Sequence, residues 1–281
     1  MFLQEGEKMT KAAIVGCSNP LKKGYLPTVD KLADLLSGYG LEVEVSRYLT
    51  DTPPGLGKRR AKELTGFFND PEVKHLFDIS GGDLANTVLG NLDLAQIKDS
   101  QATFYGYSDL TTILTALAKN GNKAVNFQVR NCLDNPDLVE SGYLQKVLDG
   151  QISTADLDVT FVRGTGMQGP VYGGNLRCLL KLAGTKNWPD LNGAILLLEG
   201  LHGKPELITS LLEQCREMGL FDQVNGILLG TFSELENMGQ ENVVVDYLEE
   251  VTPENLPIAK TPFVGHKTSA HAIRLGIPVE F

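Results

Sequence analysis

Short apolar runs rich in strand-forming residues alternate with segments of helical period along the first half of the chain, and few folds accept that alternation. Ala12–Val15, Leu41–Val45, Val73–Ile79 and Thr103–Tyr107 read as strands, with amphipathic helices around Val29–Leu36 and Arg59–Phe68 between them. Strand, crossover helix and strand in succession imply parallel pairing, so the expected first unit is a mostly parallel, doubly wound α/β sheet. A further helix is expected from Ser108 to about Ala118, because Leu110, Ile113, Leu114 and Leu117 share one face and Asn120-Gly121 stops it.

The second half reads differently. Asp134–Gly166 mixes a helix, one strand and loops, and Gly164-Thr165-Gly166-Met167-Gln168-Gly169-Pro170 punctuates the chain. Beyond it come a helix from about Asn175, the strand Ala194–Leu198, a helix around Glu206–Met218, the strand Gly226–Leu229 and short strands near Phe263 and Val279. A length of 281 residues favours two units over one core. The expected organisation is an N-terminal domain over 1–133, a linking region over 134–166 and a β-rich α/β C-terminal domain over 167–281.

Composition narrows the partners. The formal charge of −10, with no Lys/Arg block interleaved with aromatics, argues against nucleic acid. Lys58-Arg59-Arg60-Ala61-Lys62 is read as a solvated helix face. No segment carries the ~18 uninterrupted apolar residues of a membrane span. Met1–Lys8 lacks a secretory leader pattern, and Cys17, Cys132, Cys178 and Cys215 are too widely spaced for a zinc or redox motif, so reduced thiols and a cytoplasmic location are expected. No His-x-x-x-His or His-Glu-x-x-His exists, and neither a metal nor another cofactor is expected.

Four places carry chemistry. Gly106-Tyr107-Ser108-Asp109 ends a strand and starts a helix, as a nucleophile elbow does, although Leu110 stands where the second glycine of Gly-x-Ser-x-Gly would be. Taken alone, Ser-Asp at a helix start is more often a cap. Ser80-Gly81-Gly82-Asp83 also follows a strand, and its amides could meet a developing oxyanion or simply turn the chain. Glu199 closes the apolar run Ala194–Leu198, where α/β folds gather functional groups. Gly265-His266 offers an imidazole in the same topological position, and imidazole suits proton transfer near neutrality. His75 in a strand entry and His271 in a helix-like stretch have structural explanations, while His202, in the loop after Glu199, is the rival base.

Taken together these blocks resemble the LD-carboxypeptidase family of serine peptidases, which includes the microcin-immunity peptidases. The likeness rests on Gly81-Gly82, Gly106-Tyr107-Ser108-Asp109, Gly173-Gly174-Asn175-Leu176, Leu196-Leu197-Leu198-Glu199 and Gly265-His266, in the family's order. It implies Ser108 as nucleophile, His266 as general base, Glu199 as the group orienting it, and the amides of Gly82 and Asp109 as the oxyanion hole. It further implies two α/β lobes with the site in the cleft between them, a homodimer, and removal of a terminal D-amino acid from an L,D-linked muropeptide during cytoplasmic cell-wall recycling. Asn175 and Arg130 are the candidate substrate-binding residues.

Two segments depart from the family: Ser80-Gly81-Gly82-Asp83-Leu84 stands for Arg-Gly-Gly-Tyr-Gly, and Asn126-Phe127-Gln128-Val129-Arg130 covers the Phe-His-Gly-Pro segment. Immunity-type members set a loop aromatic against a nucleotide base, whereas Trp188, between Asn187 and Pro189, is placed for packing. The alternatives are a microcin-immunity-type amidase, an esterase or amidase of small substrates, and a two-lobed small-ligand binding protein without catalysis.

Overall fold

The computed structural model describes residues 10–50 and 52–281; Met1–Lys8, read above for a leader, lies outside them. Among the described residues twelve strands form two six-stranded sheets. In the first, β1 (Thr10–Val15), β2 (Leu41–Val45), β3 (Val73–Asp78), β4 (Thr103–Gly106) and β5 (Lys123–Asn126) run parallel in the order 2-1-3-4-5. The second is built from β6 (Thr160–Arg163), β7 (Gln168–Asn175), β8 (Ile195–Gly200), β9 (Gly226–Phe232) and β10 (Ile258–Lys260), of which β7 to β10 are parallel and β6 is antiparallel. The chain end then divides itself. β11 (Ile273–Leu275) returns to pair antiparallel with β5 of the first sheet, and β12 (Pro278–Glu280) caps the second beside β7.

Side-chain alternation explains the layering. Along β1, Ala12 and Ile14 face Val29, Leu32 and Leu36 of the helix Leu26–Gly38, whereas Ala13 and Val15 face Ala61, Leu64 and Phe68 of the helix Leu56–Asn69. Both faces are covered, as a doubly wound sheet requires. The helix Thr111–Lys119 lies between the sheets, because its core also takes in Val171, Ile195, Leu197 and Leu228 of the second sheet. Thr111 to Ala118 are therefore all buried, so the expected single apolar face is corrected to a helix enclosed on every side. Its expected start also moves: Ser108–Leu110 forms a separate 3-10 turn.

Four further readings change. The glycine-rich run at Gly169-Pro170 lies inside β7 rather than in a loop. The strand expected near Phe263 lies earlier, at Ile258–Lys260. His271 occupies an irregular segment before β11, with its ring stacked between Phe263 and Tyr143 at 4.7 Å from each. Arg60 is buried, its guanidinium donating to the Tyr48 and Ser18 carbonyls, so the basic cluster is not wholly a solvated face. Trp188 packs against the core on both sides of the second sheet, and all four cysteines are buried free thiols. No helix among the described residues is long and apolar enough to cross a membrane.

Candidate active site

In a sheet of order 2-1-3-4-5 the chain changes direction of winding between β1 and β3, and the crevice outside the strands' C-terminal ends opens there. The loops after β1, β3 and β4 meet at this point. The turn after β4 holds Ser108 at φ 58°, and it is the one non-glycine residue with positive φ among those described. Such a conformation costs roughly 1–3 kcal/mol and persists where the surroundings enforce it. Gly106 is part of that enforcement: a Cβ there would stand 2.9 Å from Leu110 Cβ, so Leu110 packs over the glycine and takes the place of a second elbow glycine. The strand–turn–helix form is an elbow despite the broken motif.

Glu199 sits near the end of β8, opposite Asn175 of β7, where the pairing with β9 slips between Leu198 and Gly200. A bulge of this kind re-aims a side chain at the end of a strand. The carboxylate is buried, and its Oε2 lies 2.8 Å from His266 Nδ1. His266 follows Gly265, whose φ of +129° and contact with Thr231 leave no room for a side chain. A carboxylate at Nδ1 fixes a proton on that nitrogen and leaves Nε2 as the acceptor. Nε2 is buried and has no hydrogen-bond partner.

The loop carrying His266 is tied to the first lobe. Asn131 and Asn135 donate to the Lys267 and Thr268 carbonyls, and the Ala272 amide donates to the Tyr143 hydroxyl at 2.7 Å. Tyr107, next to Ser108, lies against the His266 ring with centroids 4.8 Å apart. Serine turn and imidazole thus belong to one site, although no hydrogen bond joins Ser108 to His266 here. Burial pushes the Tyr107 phenol above its ordinary value, and the Arg130 cation beside it opposes that rise. Arg130 forms no ion pair among the described residues, with Asp134 or Asp137 or any other.

The remaining candidates divide. Asn175 is buried, and its side-chain oxygen caps the helix Leu176–Leu180. Gly82 stands in a loop held on both sides by Asn19, which donates its backbone N–H to the Gly81 carbonyl and accepts from the Asp83 amide. Neither bond uses the Gly82 N–H. The Asp109 amide is the second N–H of its turn, ahead of any acceptor within it. His202 is 84% exposed and beside Glu234, not Glu199. The Asp109 carboxylate, which the sequence reading passed over in favour of its amide, is completely buried and salt-bridged to Lys181 at 2.5 Å. No group of three or more potential metal ligands occurs among the described residues.

The chain is similar to known proteins over most of its length. Residues 12–127 match the LD-carboxypeptidase N-terminal domain, and residues 168–281 match the LD-carboxypeptidase C-terminal domain. A Bacillus subtilis protein named "Probable murein peptide carboxypeptidase" is 25% identical, the match covering 95% of this chain and 88% of that protein. The microcin C7 self-immunity protein MccF of Escherichia coli is 25% identical over 70% of this chain and 67% of its own. Among solved structures, the muramoyltetrapeptide carboxypeptidase of Oxalobacter formigenes superimposes with a TM-score of 0.77 at 22% identity, covering 96% of this chain and 94% of that one.

Proposed function

The chain belongs to the LD-carboxypeptidase family, and from that premise we propose that it is a serine-type carboxypeptidase removing the terminal D-amino acid of an L,D-linked muropeptide. The observation carrying this reading is the pairing of a positive-φ serine elbow with an imidazole that a buried carboxylate orients and whose second nitrogen is free. Backbone strain also occurs at ligand clamps and switches, and the oriented imidazole beside the serine is what favours catalysis over binding alone.

In the proposed reaction Ser108 Oγ attacks the carbonyl carbon of the scissile amide while its proton passes to His266 Nε2. Glu199 stabilises the imidazolium through Nδ1–H. The Asp109 and Gly82 amides receive the tetrahedral oxyanion. Collapse breaks the C–N bond, and the proton on Nε2 goes to the departing amine of the D-amino acid. Water, deprotonated by the same nitrogen, then releases the acyl group and restores Ser108. The Ser108–His266 hydrogen bond has to close when substrate arrives, as such bonds often do.

A carboxypeptidase must recognise a free C-terminus, and Arg130, which contacts Tyr107 and forms no ion pair among the described residues, supplies a guanidinium for that carboxylate. The assay is release of D-alanine from an L,D-linked tetrapeptide in parallel with a simple ester and a peptidyl-adenylate amide. Turnover of the tetrapeptide alone supports the reading; turnover of the adenylate amide alone favours an immunity-type amidase, and binding without turnover of any substrate refutes catalysis.

A further inference from the structure

Beneath the nucleophile turn, charge from both halves of the chain converges on the Asp109 carboxylate. Its Oδ2 accepts from the Ser18 hydroxyl at 2.6 Å and from the Ala85 backbone N–H at 2.8 Å. These two residues flank the glycine loop from either side: the Ser18 amide donates to Ser80 Oγ at 2.8 Å, and Ala85 begins the helix that leaves the loop. The Asp109 side chain thus fastens the segment bearing Gly82, while its own backbone N–H is the other oxyanion donor of the reading above.

The countercharge is not local. Lys181, immediately after the helix Leu176–Leu180, contacts Asp109 Oδ1 at 2.5 Å and donates to the Asp83 carbonyl at 3.1 Å. Arg177 of the same helix pairs with the Asp83 carboxylate at 2.5 Å and donates to the Gly82 carbonyl at 3.3 Å. A fully buried carboxylate without its partner is a severe burden, and removal of one member of such a pair is strongly destabilising. The lysine side chain is only 19% exposed, and at least two of its three N–H groups are already engaged, so it is poorly placed to serve as a substrate ligand.

We propose that Lys181 is a positioning residue for the oxyanion hole, acting through Asp109, so that the segment 176–181 of the second lobe must dock before the two donors in the first lobe hold their geometry. This rests on Ser108 being the nucleophile.

The test compares Lys181→Met and Lys181→Arg with the wild type on the tetrapeptide, and measures the affinity of a peptide boronic acid, which forms a tetrahedral adduct on a reactive serine. Loss of a single oxyanion donor lowers kcat by about 100- to 1000-fold; a displaced hole in K181M should lower kcat by roughly 30-fold or more, with KM changed by less than about 3-fold. Boronate affinity should fall in proportion, and K181R should recover most of both. A lysine that merely stabilises the fold would leave the boronate affinity and kcat of the folded fraction unchanged, and that result overturns the proposal. Should K181M not fold, the neutral pair D109N/K181M removes the stranded charge; it should fold with kcat lowered by roughly 30-fold or more from the wild type, and a wild-type kcat there, or failure of both to fold, also overturns it. Ser108→Ala separates the layers: if it keeps its activity the nucleophile assignment fails, whereas a dead Ser108→Ala beside a fully active K181M sinks the Lys181 role alone.

Discussion

The two ends of the first sheet each bury a histidine, and they use it in opposite ways. Where the strands finish, His266 is turned by Glu199, keeps Nε2 unpartnered and lies against the residue preceding a strained serine. Where the strands begin, His75 of β3 is stacked on Phe77 at 5.8 Å, with Nδ1 3.2 Å from the Tyr105 hydroxyl. It forms part of the wall of a cavity of about 580 Å³ that also includes Lys74, Lys123 and Arg274. Burial alone is therefore not what singles out His266 as the proposed base. The group opposite the ring decides: a buried carboxylate leaves one nitrogen basic and aimed, whereas a neutral hydroxyl and a stacked ring leave a packing residue.

The sharpest way to break this contrast is at the serine. Ser108→Ala should lower kcat by ~10⁴-fold or more while leaving folding and substrate affinity near those of the wild type, because the hydroxyl contributes chemistry and little packing. Single-turnover measurement of D-alanine release checks it, and a variant with a near-normal rate would remove the catalytic end from the comparison.

Next come the partners of the imidazole. His266→Ala and Glu199→Gln should each cost about 10³- to 10⁴-fold in kcat, and combining either with Ser108→Ala should add little, because the three act as a unit. His202→Ala, exposed beside Glu234, should stay within about 3-fold. Equal damage from His202→Ala and His266→Ala would show that the base has been misassigned.

A smaller effect sharpens what the catalytic end recognises. Arg130→Met should weaken kcat/KM by roughly 2 kcal/mol or more for a peptide with a free C-terminus and spare its C-terminal amide. Equal losses on both substrates would make Arg130 a support for Tyr107 instead of a carboxylate ligand.

The legibility of these features from sequence follows from where their causes lie. β1 and β4 were readable as short apolar runs, β2 as an alternation of apolar residues with glutamates and β3 as an apolar-rich stretch before a glycine turn, and Gly265-His266 because the glycine is required locally. β7 was not, since Gly169, Pro170, Gly173 and Gly174 are turn residues by composition and are strand residues here only through pairing with β8 on one side and β12 on the other. The helix Asn242–Val251 went unread because Val243-Val244-Val245 favours a strand until packing decides. The return of β11 to the first sheet is a contact between distant segments that no local pattern announces. The same holds for Lys181, an ordinary lysine until Asp109 is seen buried against it. Local chemistry thus named the residues of the proposed triad, and long-range pairing supplied what holds them.

The mildest prediction belongs to the other end of the sheet. Burial lowers His75 to about 4, with Lys74 acting in the same direction and Asp149 against it. The unfolded chain protonates the same imidazole near 6.5. Between those values the unfolded state binds the proton and the native state does not, so stability is fully present above about 6.5 and drains away as pH falls toward 4. From pH 7 to 5.5 this one group should remove about 1 kcal/mol of unfolding free energy. His75→Gln cannot take up that proton, so although the variant starts less stable, its urea midpoint should shift less over the same interval. Asp78, buried with its carboxyl pushed upward by desolvation and present in both proteins, cancels in the difference. If wild type and variant lost stability in parallel, His75 would take up the proton as readily in the native protein as in the unfolded chain, and burial would not be what holds it neutral.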